Sequence, residues 1–366
     1  MQSKLPNAIT GEELIAEQDD PQAPKSTRGR LRLISSVVAV CLAAILLYYS
    51  LRGIEWRRVA EILVSARIPY VVMSCVLSFS ALFLRSIRWR VLLNSEGHVS
   101  VPAAFWATAA GYFGNNFLPA RAGEVVRTVM ISTRSNLSKA FVLTTALCER
   151  VADAIALVTI SAVVLLTIPI RPGWLAQAAK PFAIAGAAGV VALAILPYLE
   201  SVSKILLKAL PLPSSIHVRL QHLIEHSLRG IRSFHHAGRL GAFLGLTAVI
   251  WCLDAITTIV GAKALSITIG LPAAFLLIAG LGLGSALPST PGYVGIYQFV
   301  AVSVLTPFDV SRTDAIAYIL FFQALNYVVI GFWGSVALWR HRKSKLVSRN
   351  IASQPSNTPT ASVPLD

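Results

Sequence analysis

Charge is scarce in this chain. Lys, Arg, Asp and Glu make up 13% of its 366 residues, against about 25% in a soluble domain. So little charge excludes an outer face that meets only water. Acidic residues are the scarcer sign, 17 against 32 Lys and Arg. Cysteine is sparse too: Cys41, Cys75, Cys148 and Cys252 each stand alone in an apolar run, with no CxxC pair. That spacing excludes a disulfide framework and reads as small apolar residues. No Walker A sequence occurs, which argues against ATP hydrolysis. No polar stretch is long enough for a separate catalytic domain. The first 30 residues, rich in Pro, Gln, Asp and Glu, carry no apolar run of the secretory-signal kind and read as a disordered tail.

Long apolar runs are abundant instead. A hydrocarbon core of about 30 Å needs roughly 20 apolar residues per helix. Segments 33–51, 68–87, 139–168, 178–199, 240–265 and 314–339 reach that length. Backbone groups facing lipid must be satisfied within their own segment, so the expected class is an all-α polytopic membrane bundle of about six to eight transmembrane helices. Residues 1–32 and 341–366 read as disordered cytoplasmic tails around a membrane domain at 33–340. The net charge of +15 does not point to nucleic acid, because the basic residues gather at segment ends. With six crossings and both termini cytoplasmic, 23 of the 32 Lys and Arg fall inside and eight outside, as the positive-inside rule expects. Inside counts Arg85, Arg88 and Arg90 as a turn, and also Arg121 and Arg127. The Arg52–Arg67 cluster fits least well and predicts a short interfacial helix.

Two apolar stretches are interrupted. Each begins Pro-Ala-Ala-Phe, at Pro102 and at Pro272. Each passes through a Gly-rich run, reaches Leu-Pro at Pro119 and at Pro288, and continues to Gly123 or Gly292. Proline breaks a helix and glycine allows tight turns. Both stretches read as re-entrant hairpins entering from opposite faces, the sequence pointer to an inverted repeat.

Ionisable side chains at bilayer depth cost at least about 2.5 kcal/mol and mark function by default. Glu149, Arg150 and Asp153 sit mid-segment, with Glu149 and Asp153 on one helix face. Arg150 lies about 100° around the helix from Glu149. Asp254 is central in its segment, without a partner on its own helix, and Gln323 and Asn326 are central in the last. The functional reading is a polar cavity in which Arg150 meets a phosphate and the carboxylates balance it or carry protons. At the first break, Asn115, Asn116, Arg121, Glu124 and Arg127 follow one another, and freed backbone N–H groups with the two arginines offer donors suited to anions. At the second, Ser289, Thr290, Tyr293, Tyr297 and Gln298 are polar but uncharged. The competing reading is a buried ion-pair network that only fixes packing. His222, Glu225 and His226 match the H-x-x-E-H zinc pattern, but a basic amphipathic stripe over 219–234 explains them better. No metal or cofactor is expected.

Several of these motifs resemble a known family. They are Arg85-x-x-Arg88-Trp89-Arg90, Gly111-Tyr-Phe-Gly114-Asn115-Asn116-x-Leu118-Pro119-Ala-Arg121-x-Gly123-Glu124-x-x-Arg127, Glu149-Arg150-x-x-Asp153 and Pro288-Ser-Thr-Pro291-Gly292-x-x-Gly295. Together they are similar to the flippase-like transmembrane region of lysylphosphatidylglycerol synthases, over roughly residues 33–340. The resemblance implies a helical membrane domain that moves lipids or lipid-linked groups between leaflets. It does not imply lysine transfer, because the soluble aminoacyl-transfer domain is not seen here. The expected function is a non-enzymatic lipid translocator of a bacterial inner membrane. Its binding residues are Asn115, Asn116, Arg121, Glu124, Arg127, Glu149, Arg150, Asp153, Asp254, Tyr293, Gln298 and Asn326. Its partners are anionic phospholipid or lipid-linked substrate. A homo-oligomer or a separate lipid-modifying enzyme stays open as a partner. The rivals are an accessory subunit or enzyme of lipid-linked sugar modification, and a structural membrane partner.

Overall fold

A computed structural model of the chain describes residues 41, 43–117, 122–168, 173–195, 236–285 and 291–352. Arg121, Pro119, Pro288, Ser289, Thr290, the tail at 1–32 and the stripe carrying His222 and His226 lie outside the described residues. A helical stretch at 43–51 leads into α1 (Trp56–Val64), α2 (Ile68–Leu93), α3 (Val101–Phe117), α4 (Gly123–Ser132) and α5 (Lys139–Thr167). Then come α6 (Gly173–Ile195), α7 (Ala237–Ala264), α8 (Leu271–Gly284), α9 (Ile296–Leu305) and α10 (Arg312–Ala352). Single 3-10 turns occupy Pro291–Tyr293 and Thr306–Phe308, and no strand occurs among the described residues.

Four helices are long and apolar enough to cross a membrane: α2, α5, α7 and the Arg312–Lys343 part of α10, with 26, 29, 28 and 32 residues. Their outer faces leave large apolar side chains uncovered, among them Val76, Val151, Val163, Val249, Val328 and Phe332. Such contiguous exposure on long helices is what a lipid-facing surface requires. The chain is a multi-pass helical membrane bundle. α6 is a further apolar helix, with Pro181 inside it. The basic cluster after residue 51 does form a short helix, α1, whose Arg57 and Glu61 pair at 3.1 Å on its exposed side while Val59 is buried.

One expectation needs correcting. Arg85, Arg88 and Arg90 are not a turn: α2 runs unbroken to Leu93, so Arg85 and Arg88 sit on a membrane-length helix. Together with Arg127 they are engaged by buried carboxylates and do not act as cytoplasmic anchors. Taking them out of the charge count narrows the basic excess without reversing it.

The two interrupted stretches become helix–break–helix pairs, α3 with α4 and α8 with α9. The component helices have 17, 10, 14 and 10 residues, each below the roughly 20 needed to span the core. Each pair packs on itself and is flanked by long helices, so α2–α5 and α7–α10 repeat one order: long, short, short, long. Their packing repeats as well. α2 lies on α7, α3 lies on α10, and α8 lies on α5. All three contacts are antiparallel. Arg67 N donates to Ala264 O at 2.8 Å at one end of the α2–α7 seam, and Arg88 reaches Thr247 at 3.2 Å towards the other. Phe117 meets Tyr327 at a 5.7 Å ring separation, while Trp106 meets Trp333 and Arg340 further along. Leu157 packs at Gly282 and Leu165 clusters with Leu276. Two apolar cores result, one around Trp89, Phe105 and Phe141 that also takes in Ala337 of α10, the other around Leu277, Ile316 and Tyr318 that also takes in Leu157 of α5.

Candidate functional site

Helix periodicity places Glu149 and Asp153 on one face of α5, one turn apart. That face meets α2, and the partner there is Arg88, not the neighbouring Arg150. Arg88 Nη1 and Nη2 donate to the two oxygens of Asp153 at 2.6 and 2.9 Å. Nη2 and Nε donate to Glu149 Oε1 at 2.9 and 3.3 Å, and Thr247 Oγ1 of α7 accepts from Nη1 at 3.2 Å. From α4, Arg127 Nη2 donates to the other Glu149 oxygen at 2.6 Å. Its guanidinium lies 3.7 Å over the Trp89 ring, and Trp89 Nε1 donates to Thr145 at 3.2 Å. Glu149 is therefore shared by two arginines from two helices.

Asp254, without a partner on its own helix, finds one across the α2–α7 seam. Arg85 Nη1 and Nη2 face its two carboxylate oxygens in a bidentate pair, with the Trp251 ring 5.8 Å from the guanidinium. Arg150, rotated away from Glu149, points instead to the first break. Its Nε and Nη2 reach Glu124 Oε1 at 2.9 and 2.8 Å, and Tyr112 lies 5.2 Å away. Glu124 also lies 3.4 Å from Arg127 Nη1. The break is tied at the same place, since Asn115 Oδ1 accepts from Gly123 N at 3.1 Å and Asn115 Nδ2 approaches Glu124 at 3.4 Å. Gly111 and Gly123 are packed so closely that a Cβ at Gly123 would collide with the Gly111 carbonyl. Asn116, next to Asn115, is half-buried.

The result is a connected network of three arginines (Arg88, Arg127, Arg150) and three carboxylates (Glu124, Glu149, Asp153), with the Arg85–Asp254 pair beside it. Charge balances within it, which is how a bundle carries ions at membrane depth without stranding one. Exposure is graded. The side chains of Arg88, Arg127 and Glu149 are 0%, 1% and 3% exposed, whereas Arg150 is 37% exposed. The Arg85–Asp254 pair lies between, at 17% and 19%. The buried centre holds helices together, and Arg150 is the most exposed cation of the network. Among the described residues, no cluster of His, Cys, Asp and Glu is arranged to hold a metal ion.

The second break is built from amides. Gln298 Oε1 accepts from Gly295 N at 2.8 Å, Gln298 Nε2 donates to Gln323 at 2.7 Å, and Gln323 Nε2 donates to Gly292 O at 2.9 Å. Tyr327 OH donates to the same carbonyl at 3.0 Å. Gly292 and Gly295 have φ of 75° and 89°, a region glycine enters without steric cost. Gln298 is thus spent on the break itself. Tyr293 stacks on Tyr297 at 4.9 Å, and Asn326 Nδ2 donates to Phe322 O of its own helix at 3.0 Å. The structure therefore joins Asn115, Glu124, Arg127, Glu149, Arg150 and Asp153, sets Asp254 with Arg85 beside them, and leaves Tyr293, Gln298 and Asn326 apart. Sequence reasoning missed Arg85 and Arg88 as partners of these carboxylates. The available signal was their i, i+3 spacing at the end of an apolar run, within a motif already noted.

Comparison with known proteins agrees with this architecture. The family model described as the lysylphosphatidylglycerol synthase TM region matches residues 34–334. The UPF0104 membrane protein MJ1078 of Methanocaldococcus jannaschii is 23% identical over 252 residues, 67% of this chain and 98% of that protein. The glycosyltransferase AglD of Haloferax volcanii is 27% identical over 324 residues, 78% of this chain but only half (50%) of that protein. No solved structure matches. With most of its length covered by one family model, the chain belongs to the family of the lysylphosphatidylglycerol synthase transmembrane region.

Proposed function

We propose that the chain is a lipid translocator, passing the headgroup of a phospholipid or lipid-linked group through the polar network while the acyl chains stay in the bilayer. The observation that carries this reading is the charge-balanced network in the middle of apolar helices, with one guanidinium, Arg150, left reachable beside a helix break. A structural network alone gives no reason to leave one member half-exposed. A guanidinium offers forked donors that match phosphate oxygens. Irregular backbone at membrane depth is tolerated where it is covered by protein or lines a cavity, and the breaks next to Arg150 and at Gly292 fit that rule. The short helices fit re-entrant hairpins. The antiparallel packing of α2 on α7, with the reciprocal α3–α10 and α8–α5 contacts, fits an inverted repeat whose halves rock for alternating access. In this reading the chain is not itself an enzyme, takes no cofactor, and lies in the cell's inner membrane with both termini cytoplasmic.

The test is lipid movement in proteoliposomes, with headgroup-labelled anionic and zwitterionic lipids and wild type beside Arg150→Ala. Movement by wild type and its loss in a folded Arg150→Ala protein is the expected result. Undiminished movement in that variant removes the assignment. A second reading, an accessory subunit of lipid-linked sugar modification, draws on the glycosyltransferase name of the Haloferax relative. Wild-type protein that moves no lipid alone, but binds a glycosyltransferase from the same cell, would favour it.

A further inference from the structure

Glu124 is held in an unusual way. Arg150 spends both Nε and Nη2 on a single oxygen, Oε1, at 2.9 and 2.8 Å, where a bidentate pair would use two. The other oxygen, Oε2, is buried and has no hydrogen bond among the described residues. Arg127, whose side chain is 1% exposed, sits one turn along the same helix with Nη1 3.4 Å from that oxygen. Its Nε is likewise buried without a hydrogen bond among the described residues. So a carboxylate with a spare acceptor lies between a reachable guanidinium and a buried one with a spare donor.

We propose that Glu124 is a resident counter-anion that occupies the phosphate position on Arg150 in the empty site, and that an incoming phosphate group displaces it onto Arg127. This rests on the reading of Arg150 as the group that meets the headgroup phosphate. Displacement needs only a side-chain rotation, because Glu124 and Arg127 share a helix face at i, i+3. The released carboxylate closes on Arg127, already 3.4 Å away, and gains the hydrogen bond that Oε2 lacks, so no buried charge is stranded. The phosphate gains the forked donors of Arg150. The same arrangement keeps the empty site neutral and the hold on an anion weak, which suits a group that must leave again.

The test is binding to the purified full chain by titration calorimetry, with dioctanoyl phosphatidylglycerol, dioctanoyl phosphatidylcholine and inorganic phosphate as probes. A pair that is exposed on its arginine side is worth about 1 kcal/mol, so removing the competitor in Glu124→Gln should tighten phosphatidylglycerol about fivefold. Arg150→Ala should weaken it, and Glu124→Gln in the Arg150→Ala background should give no gain. Equal tightening of inorganic phosphate identifies phosphate itself as the recognised group; tightening of lipid alone identifies a headgroup phosphodiester, and both support the proposal. Folded Glu124→Gln protein that binds every probe as wild type does overturns it. Should Glu124→Gln fail to fold, Glu124→Asp, whose shorter side chain withdraws from Arg150, decides instead: tighter binding supports the proposal and unchanged binding overturns it. The two readings separate cleanly. Tighter binding in Glu124→Gln without lipid movement by wild type leaves an anion site that does not translocate. Lipid movement lost in Arg150→Ala, with binding unaltered in Glu124→Gln, leaves a translocator without a counter-anion.

Discussion

Arg88→Met replaces the most enclosed cation of the network with an apolar side chain of similar length. It removes the donors at 2.6 and 2.9 Å from Asp153 and those at 2.9 and 3.3 Å from Glu149. Glu149 keeps Arg127 at 2.6 Å. Asp153 makes no other ion pair among the described residues, and its side chain is only 13% exposed. Breaking a buried pair by removing one partner costs about 3–5 kcal/mol. The Arg127 contact and the residual exposure of Asp153 place this variant near the lower end, about 3 kcal/mol. Adding Asp153→Asn removes the stranded charge and should recover at least half of the loss, a coupling of about 1.5 kcal/mol or more. Reversible unfolding in mixed micelles, followed by tryptophan fluorescence, measures all three. Arg150→Ala provides the control: Arg150 is 37% exposed and Glu124 keeps Arg127 at 3.4 Å, so the loss should be about 1 kcal/mol, well below that of Arg88→Met. Arg88→Met protein within about 1 kcal/mol of wild type, or no recovery from Asp153→Asn, would refute the division into a structural centre and a reachable edge.

Exchanging the seam pair as Arg85→Asp with Asp254→Arg should restore most of the stability that either single change removes, read by the same unfolding measurement; a double variant no better than the singles would show that the pair is not the contact that matters there. Gly123→Ala should cost about 2 kcal/mol or more, because its Cβ meets the Gly111 carbonyl with no flexible side chain to yield; wild-type protease resistance would show that the first break is looser than described. Gln323→Leu leaves the Gln298 amide without its acceptor and removes one of two donors to Gly292, which should cost about 1–3 kcal/mol. An unchanged melting temperature would show that the amide chain does not hold the second break.

Residue pattern alone located the long helices and both breaks, because length and Pro-Gly interruption are local properties. Glu149, Arg150, Asp153 and Asp254 stood out because a charge inside an apolar run is conspicuous wherever the rest of the chain lies. Pairing was not legible. Arg150 is the chain neighbour of Glu149 yet faces Glu124, and Asp254 is matched by a residue 169 positions away. Arg88 looked like one more flanking cation, because a helix end and a helix interior carry the same local pattern when the apolar run thins out gradually. The polar groups of the second break were equally visible, but sequence could not say that Gln298 and Gln323 hydrogen-bond each other in place of facing a cavity.

The seam between α2 and α7 has an electrical consequence. Of the site's eight ion-paired groups, α2, α4 and α5 carry the four arginines and all the carboxylates but one, which leaves the first unit's share of them with one surplus positive charge. The second unit contributes Asp254 and is otherwise lined with amides and phenols. Counting only these groups, the two units present opposite charges that meet at Arg85 and Asp254. If they rock against each other, the motion separates charge along the membrane normal and works against the transmembrane potential. One elementary charge crossing the full field is worth about 2.3 kcal/mol per 100 mV, so even a fraction of that displacement makes turnover voltage-dependent. Neutralising the pair together, as Arg85→Gln with Asp254→Asn, would leave each unit's share of these groups neutral and flatten that dependence.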